Sequence, residues 1–509
     1  MEKIQILYIV YTVLIPLFLL WCIKKWFIEH SRNKNSPPSP PKLPIIGNLH
    51  QIGRLPHRDL QAMARKHGPL MLLHFGSVPV LIASSADTAR EFMKTHDVAF
   101  ASRPVYKIYE KLVYGCKDIS AAPYGEYWRQ LRSIFVLQLL SSKKVQSFRY
   151  IREEETDLFV KKIRDSGFGP VNLSRMFAEL SSDGICRAAV GRKCGEMRNG
   201  KRFLNLLSEL MEIFGEFPIE EFVPWLGWIS RVNGTDRRVD RVAKEMDEIL
   251  ESVIEEHVES KDQRKDVEGR DGETILDILL RIHSENSSGG VSIDRDSVKA
   301  LILDIFNGGT DTISTALEWA MTELLRHPIV MKKLQKEVRE IVKNKQDITD
   351  EDLGRMSYLK AVIKETLRTH PPIPLLVPRI ARNDVKVKGY DVSAKTVVMI
   401  NAWAIGRDPA SWDEPEKFKP ERFLDSTVDF KGLDFELIPF GAGRRGCPGV
   451  AFADATMQFV LANVVQKFNW KLANGVDEKD LDMGESPGVT AHRSVPLLAV
   501  ASVPDQFEN

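Results

Sequence analysis

A chain of 509 residues is long enough for one large domain or for two to three ordinary ones. Its composition, 43% hydrophobic and 28% charged, is ordinary for a globular protein with a sizeable core. A formal net charge of +1 excludes a global attraction to nucleic acid or to an acidic polymer, so local clusters decide function.

The first element is an uncharged run of 20 residues, Ile4 to Ile23, closed by Lys24, Lys25 and Trp26. About 20 apolar residues suffice for one membrane-spanning helix. The run is too long for a secretory signal and meets an interfacial Trp/Lys cluster instead of a small-residue cleavage site. Residues 1–23 are therefore expected to form an uncleaved single-pass anchor. Positive charge on its C-terminal side leaves the rest of the chain in the cytoplasm. Residues 24–48 follow as a basic, proline-rich hinge; Pro37, Pro38, Pro40, Pro41 and Pro44 favour stiff extended backbone. Residues 49–509 form the body.

Five cysteines (Cys22, Cys116, Cys186, Cys194 and Cys447) at irregular spacing, with no C-x-x-C pair, argue against a disulfide framework and a structural zinc site. Cys116, Cys186 and Cys194 read as small buried hydrophobes. The body opens on a hairpin, Met71–Phe75 and Val78–Ile82 around Gly76. Helical periodicity follows over Gly125–Phe148, Arg152–Arg164 and Asp236–His257, and Glu259–Glu273 reads as a charged surface loop. The periodicity predicts a long helix over Asp294–Arg326, capped near Ser292 and stopped by Pro328. Its middle, Asn307-Gly308-Gly309-Thr310-Asp311-Thr312, holds adjacent glycines that cost about 1 kcal/mol each relative to alanine. Close approach of a ligand to the backbone would offset that cost. Strand-like pieces return at Val385–Val387 and Thr396–Ile400. The body is thus mainly α with small β-sheets.

Near the C-terminus, Phe440 to Gly449 reads FGAGRRGCPG. Gly441 to Gly446 spells G-x-G-x-x-G, the fingerprint of a dinucleotide-binding turn. That motif needs a βαβ unit and an acidic residue about 20 positions on. The helix Val450–Phe468 and the strand Asn469–Leu472 end without that acid, so the dinucleotide reading fails. Cys447 instead follows three glycines and two arginines and precedes a helix N-terminus, all of which favour a thiolate. It could be a nucleophile or a metal ligand, and no histidine base is evident for the first.

Phe440-x-x-Gly443-x-Arg445-x-Cys447-x-Gly449 resembles the haem-binding signature of the cytochrome P450 family at every defining position. The resemblance implies the P450 fold with one N-terminal transmembrane helix, and haem b whose iron is held by the Cys447 thiolate, which pushes electron density toward O–O cleavage. It implies haem-propionate contacts from Arg445, from Trp128 and Arg132 of the W-x-x-x-R pattern, and from Arg379. Glu365-x-x-Arg368 with Arg422 of Pro420-Glu-Arg-Phe423 resembles the family's structural charge cluster. Glu323 and Arg326 repeat the same spacing, so spacing alone is weak.

Gly308 to Thr312 resembles the family's A/G-G-x-D-T groove. Gly308 and Gly309 would leave room for dioxygen, Thr312 would hydrogen-bond the distal oxygen, and Asp311 would help relay protons. Asn307 and Ile313 depart from the usual plant pattern. Asn307 would bond a polar substrate or satisfy loosened backbone, and Ile313 would narrow and dry the pocket. Loops 101–120, 203–225, 373–377 (with Val377) and 487–492 would line that pocket.

The anchor, the hinge and the motif runs resemble the plant A-type microsomal group. This implies an endoplasmic-reticulum monooxygenase acting on a small lipophilic terpenoid, coumarin or other phenylpropanoid, or alkaloid. No flavin domain fits the length, so electrons would come from a separate NADPH–cytochrome P450 reductase, with cytochrome b5 as an optional second donor and no nucleic-acid partner. Desaturation, ring coupling, reductase-independent rearrangement and a non-catalytic haem carrier stand as the alternatives.

Overall fold

Two six-residue apolar runs joined across Gly76 fold back on each other as strands β1 (Leu70–Phe75) and β2 (Val78–Ala83). Gly76 takes φ +57°, and a Cβ there would fall 2.0 Å from the Phe222 carbonyl oxygen, so only glycine turns this corner. The computed structural model describes residues 12, 13, 17 and 35–504, apart from 217–218, 265–271, 286–292, 344 and 346. The expected anchor over 1–23 lies almost wholly outside the described residues. Among the described residues no helix is long and apolar enough to cross a membrane.

Seven further strands follow: β3 (Pro170–Asn172), β4 (Arg379–Ile380), β5 (Val385–Val387), β6 (Tyr390–Val392), β7 (Val397–Ile400), β8 (Asn469–Leu472) and β9 (Leu498–Ser502). They form three small sheets in the orders β1-β2-β7-β4, β3-β9-β8 and β5-β6. Among the described residues only β2 and β7 pair in parallel. The first sheet matters most for the site, because its edge strand β4, paired with β7, carries Arg379.

Helices make the rest. The central helix, Arg295–Arg326, is capped by the Asp294 side chain, which accepts from the Ser297 N–H. The cap is therefore Asp294 and not Ser292, which lies outside the described residues. The helix stops where Pro328 opens the next one, Pro328–Val342. It is buried along most of its length and packs against Leu173–Val190, Ser357–Thr369 and the C-terminal helix Val450–Lys467. Aromatic pairs such as Phe203 and Phe306, edge to face at 4.8 Å, fill the space between layers. Each such fully buried side chain contributes about 1.5–3 kcal/mol.

Three expectations need correction. The helical stretch Gly125–Phe148 is broken into Glu126–Ile134, one wide turn over Phe135–Leu139, and Ser142–Ser147 capped by Ser141. The loop expected from Glu259 is helix as far as Arg264, because Glu, Lys, Gln and Arg are good helix formers even without an apolar face. Cys186 and Cys194 are not separate hydrophobes. Helix Leu173–Val190 and the turn after it bring their Cα atoms to 5.7 Å, and the two are joined as a disulfide.

Candidate active site

The loop before the C-terminal helix is folded to present one sulfur. Gly441 and Gly443 take φ of +68° and +66°, and a Cβ on Gly443 would meet the Met93 carbonyl oxygen at 2.2 Å. Gly443–Arg445 forms a single 3₁₀ turn, after which the Cys447 N–H donates to the Phe440 carbonyl at 2.8 Å. The Gly449 N–H donates to Cys447 Sγ at 3.3 Å. Cys447 is reachable by a water molecule although protein surrounds it, so it lines an internal space and not the outer surface.

Burial pushes the Cys447 thiol above its ordinary value, against the weaker pull of the Gly449 amide and the Arg132 charge. The loop arginines do not counter this. Arg445 donates to the carbonyls of Ala101 (2.6 Å), Ile119 (3.3 Å) and Ala122 (2.6 Å), and Arg444 faces Asp97. The expectation that these two lower the thiol pKa is therefore corrected. A metal ion bound at sulfur would deprotonate it directly.

A second stretch of the interior is equally accessible. Within the mostly buried central helix, Asn307 to Thr312 are partly accessible, with Gly308 the most exposed. A Cβ on Gly308 would meet nothing within 4 Å. Thr312 Oγ1 donates to the Gly308 carbonyl at 2.7 Å, one turn back on the same face. Gly309 serves another purpose. A Cβ there would fall 2.3 Å from Ile185 Cδ1, so its bareness lets the helix Leu173–Val190 pack close. Only Gly308 opens the interior space, which corrects the expectation for the pair. Ile313 is also corrected: it is buried and points toward Phe148, Leu180, Phe452 and Val460, one residue round the helix from Thr312. Asn307 Oδ1 is buried and accepts no hydrogen bond among the described residues, so it does not repair backbone.

Asp311 is held from outside its helix. His492 Nε2 lies 2.9 Å from Asp311 Oδ1. Burial opposes ionisation, but His492 outweighs it and keeps the Asp311 carboxyl below its ordinary value.

Around the Cys447 loop, Arg103, Arg379 and Arg445 are buried and Arg132 is half-buried. Arg445 lies 4.1 Å over the Trp128 ring, whose Nε1–H donates to the Ile119 carbonyl. Arg379 donates to the Ala442 carbonyl at 2.7 Å and pairs with Asp97 at 3.1 Å. Among the described residues that is the one ion pair any of the four makes, and there Arg132 makes no hydrogen bond. Their charges repel: burial first, then Arg445 and Arg379, lower the proton affinity of Arg103. Such an arrangement calls for an anion brought in from elsewhere.

Glu365, Arg368 and Arg422 are placed together as expected, and fully satisfied. Arg368 clasps Glu365 through two bonds of 2.7 and 2.8 Å, and Arg422 Nε adds a third at 3.1 Å. The rival pair is not made: Arg326 is exposed, and Glu323 bonds His370 at 2.6 Å.

A lone enclosed sulfur asks for a metal, and unpaired guanidiniums beside it ask for acidic arms. One flat group supplies both, iron porphyrin with two propionates, and the residues present fit it. The site is that of a haem-thiolate protein.

Comparison with known proteins agrees. The sequence profile described as Cytochrome P450 matches residues 37–498. The chain is 57% identical over 499 residues to "Cytochrome P450 71A8" of Mentha piperita, covering 97% of this chain and 95% of that protein. It is 48% identical over 489 residues to "Norfluorocurarine oxidase" of Strychnos, covering 95% of each. It is 47% identical over 485 residues to a "3-beta-hydroxylase" of Tanacetum parthenium, again covering 95% of each. A solved zebra fish cytochrome P450 with abiraterone matches with a TM-score of 0.74 and 24% identity, over 89% of this chain and 99% of that one, and so shares its fold. The chain belongs to the cytochrome P450 family. It is a haem-thiolate monooxygenase, of a family whose members typically draw electrons from a redox-partner reductase.

Several residues of the interior carry no motif. Asp304 lies one turn before Gly308 and two before Thr312, and its Oδ2 accepts the Ile119 N–H at 2.7 Å. Burial, then the charge of nearby Asp118, raises its pKa well above the ordinary carboxylate range. The one signal for it was a lone carboxylate inside the apolar run Leu301–Phe306. Arg103 and His492 had no signal beyond lying in expected pocket loops.

Proposed function

We propose that this enzyme oxidises a small lipophilic plant specialised metabolite, a terpenoid, a coumarin or other phenylpropanoid, or an alkaloid. It would do so with dioxygen and with electrons from an NADPH–cytochrome P450 reductase, cytochrome b5 serving as an optional second donor. The relatives named "Norfluorocurarine oxidase" and "3-beta-hydroxylase" support this reading. In it, residues 1–23 anchor the chain in the endoplasmic reticulum membrane, residues 24–48 form the hinge, and the body faces the cytoplasm.

The observation that carries the reading is the accessible face of the central helix, where Thr312 is bonded to the Gly308 carbonyl beside open space. Haem held by Cys447 supplies dioxygen binding and one-atom oxygen transfer. Arg132, Arg379 and Arg445, with Trp128, hold its acidic arms, and Phe440 fixes the loop by accepting the Cys447 N–H. The Thr312 hydroxyl gives its proton to Gly308 O, so its lone pairs can accept a bond from water in the pocket. Asp311 lies next to it as the acid that moves protons inward. The unpartnered Asn307 Oδ1 is suited to a donor on the substrate, and Val377 lines the mouth.

Carbon monoxide added to the reduced protein tests the core. An absorption band near the thiolate-haem position is expected, and a Cys447→Ser protein that retains it would refute the assignment. Thr312→Ala should keep haem but release most NADPH electrons as peroxide. Unchanged coupling would remove Thr312 from proton delivery.

A further inference from the structure

His492 sits on a loop stapled to the central helix. Trp319 Nε1–H donates to the Ala491 carbonyl at 2.8 Å, the Ala491 N–H donates to Pro372 O at 2.9 Å, and the Ser486 N–H donates to His492 O at 2.8 Å. These bonds fix the imidazole between two groups of the helix. Nε2 lies 2.9 Å from Asp311 Oδ1, and Nδ1 lies 2.7 Å from Thr315 Oγ1.

These contacts hold the ring in place to donate to Asp311. Thr315 has one hydroxyl proton, within reach of both the Asp311 carbonyl and His492 Nδ1, each at 2.7 Å. When that proton goes to the carbonyl, the hydroxyl accepts from Nδ1. The Asp311 carboxylate can only accept. With the Thr315 proton on the carbonyl both ring nitrogens donate and His492 is an imidazolium; with it on Nδ1 the ring is neutral, and in either state Nε2 donates to Asp311.

We propose that His492 is the proton-holding partner of Asp311: it keeps that carboxylate ionised and oriented beside Thr312, and it resupplies each proton Asp311 passes inward. The proposal rests on the assignment of Asp311 and Thr312 to proton delivery. In the step, the Nε2 proton crosses to Asp311 Oδ1, leaving neutral imidazole and a carboxylic acid. The acid releases a proton to water beside Thr312, and the imidazole, about one-third accessible at 36%, takes another from water at its accessible edge. One proton is passed and no electron moves.

The charges around the ring agree. Burial works against the cation, but Asp311 and, further off, Glu318 outweigh it and hold His492 above its ordinary value. The neighbouring Arg493 guanidinium is turned away, over Trp319 and onto the Val495 carbonyl. A raised histidine pKa contributes stability that is fully present below about 6.5 and is lost as pH rises through the folded value. The lowered Asp311 pKa contributes above about 3.9 and is lost as pH falls through its own folded value. The pair is therefore complete between these limits and fails on the alkaline side when His492 deprotonates.

The test measures peroxide released per NADPH in the haem-loaded full chain with reductase, from pH 6 to pH 9. Wild type should leak several-fold more at the alkaline end. His492→Asn should leak at that level throughout, and His492→Lys, a fixed cation, should hold the low level across the range. His492→Asn with wild-type leakage and slope would overturn the proposal, provided Thr312→Ala does leak. If Thr312→Ala leaks no more than wild type, the underlying oxygen-groove reading fails and takes this proposal with it. Independently of turnover, thermal midpoints of wild type, His492→Asn, Asp311→Asn and the double variant should show a coupling at pH 6 that vanishes at pH 9. A coupling that is absent at pH 6, or equal at both, would refute the ion pair.

Discussion

Around Glu365 every buried charge finds its partner inside the protein, whereas around Arg132, Arg379 and Arg445 the guanidiniums lean on carbonyls and on one shared aspartate. In the first cluster Arg368 also donates to the carbonyls of Gly406, Pro415 and Lys417, and Arg422 to those of Asp413, Glu414 and Lys417. In the second, Asp97 divides itself between Arg379 and the exposed Arg444. A closed network needs nothing further and holds the fold. An open one is a site whose stability waits for an anionic ligand.

Arg368→Ala should break the closed cluster and have the largest effect. It leaves Glu365, fully buried, with the Lys419 N–H at 2.7 Å and Arg422 Nε at 3.1 Å on Oε1 and, among the described residues, no partner on Oε2. Removing one member of a buried ion pair costs about 3–5 kcal/mol. Denaturant unfolding should show that loss before any haem is added, and holoprotein yield should fall steeply. A loss below about 1 kcal/mol would mean that the closed cluster is ornamental, because exposed pairs alone reach that figure.

Arg132→Ala should do the opposite in the apoprotein. Burial already weakens the hold of Arg132 on its proton, and no carboxylate loses a partner when it goes. Apoprotein stability should stay within about 0.5 kcal/mol, as for substitutions away from paired charges. Haem should dissociate roughly 10- to 100-fold faster, the equivalent of about 1.5–3 kcal/mol for a hydrogen bond to a charged group. Transfer of haem to an acceptor globin measures this. A destabilised apoprotein with unchanged haem loss would erase the distinction between the clusters.

The two clusters also differed in how far sequence could reach them. Glu365 and Arg368 are three apart on one helix, and the P-E-R-F run supplies Arg422, so local spacing and a family pattern sufficed. Cys447 was legible because its glycines and its helix N-terminus are contiguous. The open cluster is assembled from four segments far apart in the chain, and Arg103 had no local mark. The same holds for His492, which meets Asp311 across 181 positions (492 − 311). Gly309 and Ile313 were misread for a different reason. A helical turn sends successive residues to different faces, and only packing against Ile185 and Phe452 reveals which face is which.

Arg444→Ala gives the smallest effect and the sharpest control, because Arg444 is the sequence neighbour of Arg445 yet half exposed. Its Nε stands 3.5 Å from Asp97 Oδ2, while its backbone N–H donates to the same oxygen at 3.1 Å and survives the substitution. An exposed pair of this kind contributes about 0–1 kcal/mol and is screened by salt. Stability and haem loss should therefore both match wild type at physiological salt. Asp97 would then serve Arg379 alone. If Arg444→Ala accelerated haem loss as much as Arg132→Ala, nearness to Cys447 along the chain would matter more than enclosure. Equal rates for Arg444→Ala and wild type, with fast loss for Arg132→Ala, would establish that enclosure in the open cluster makes a guanidinium part of the haem site.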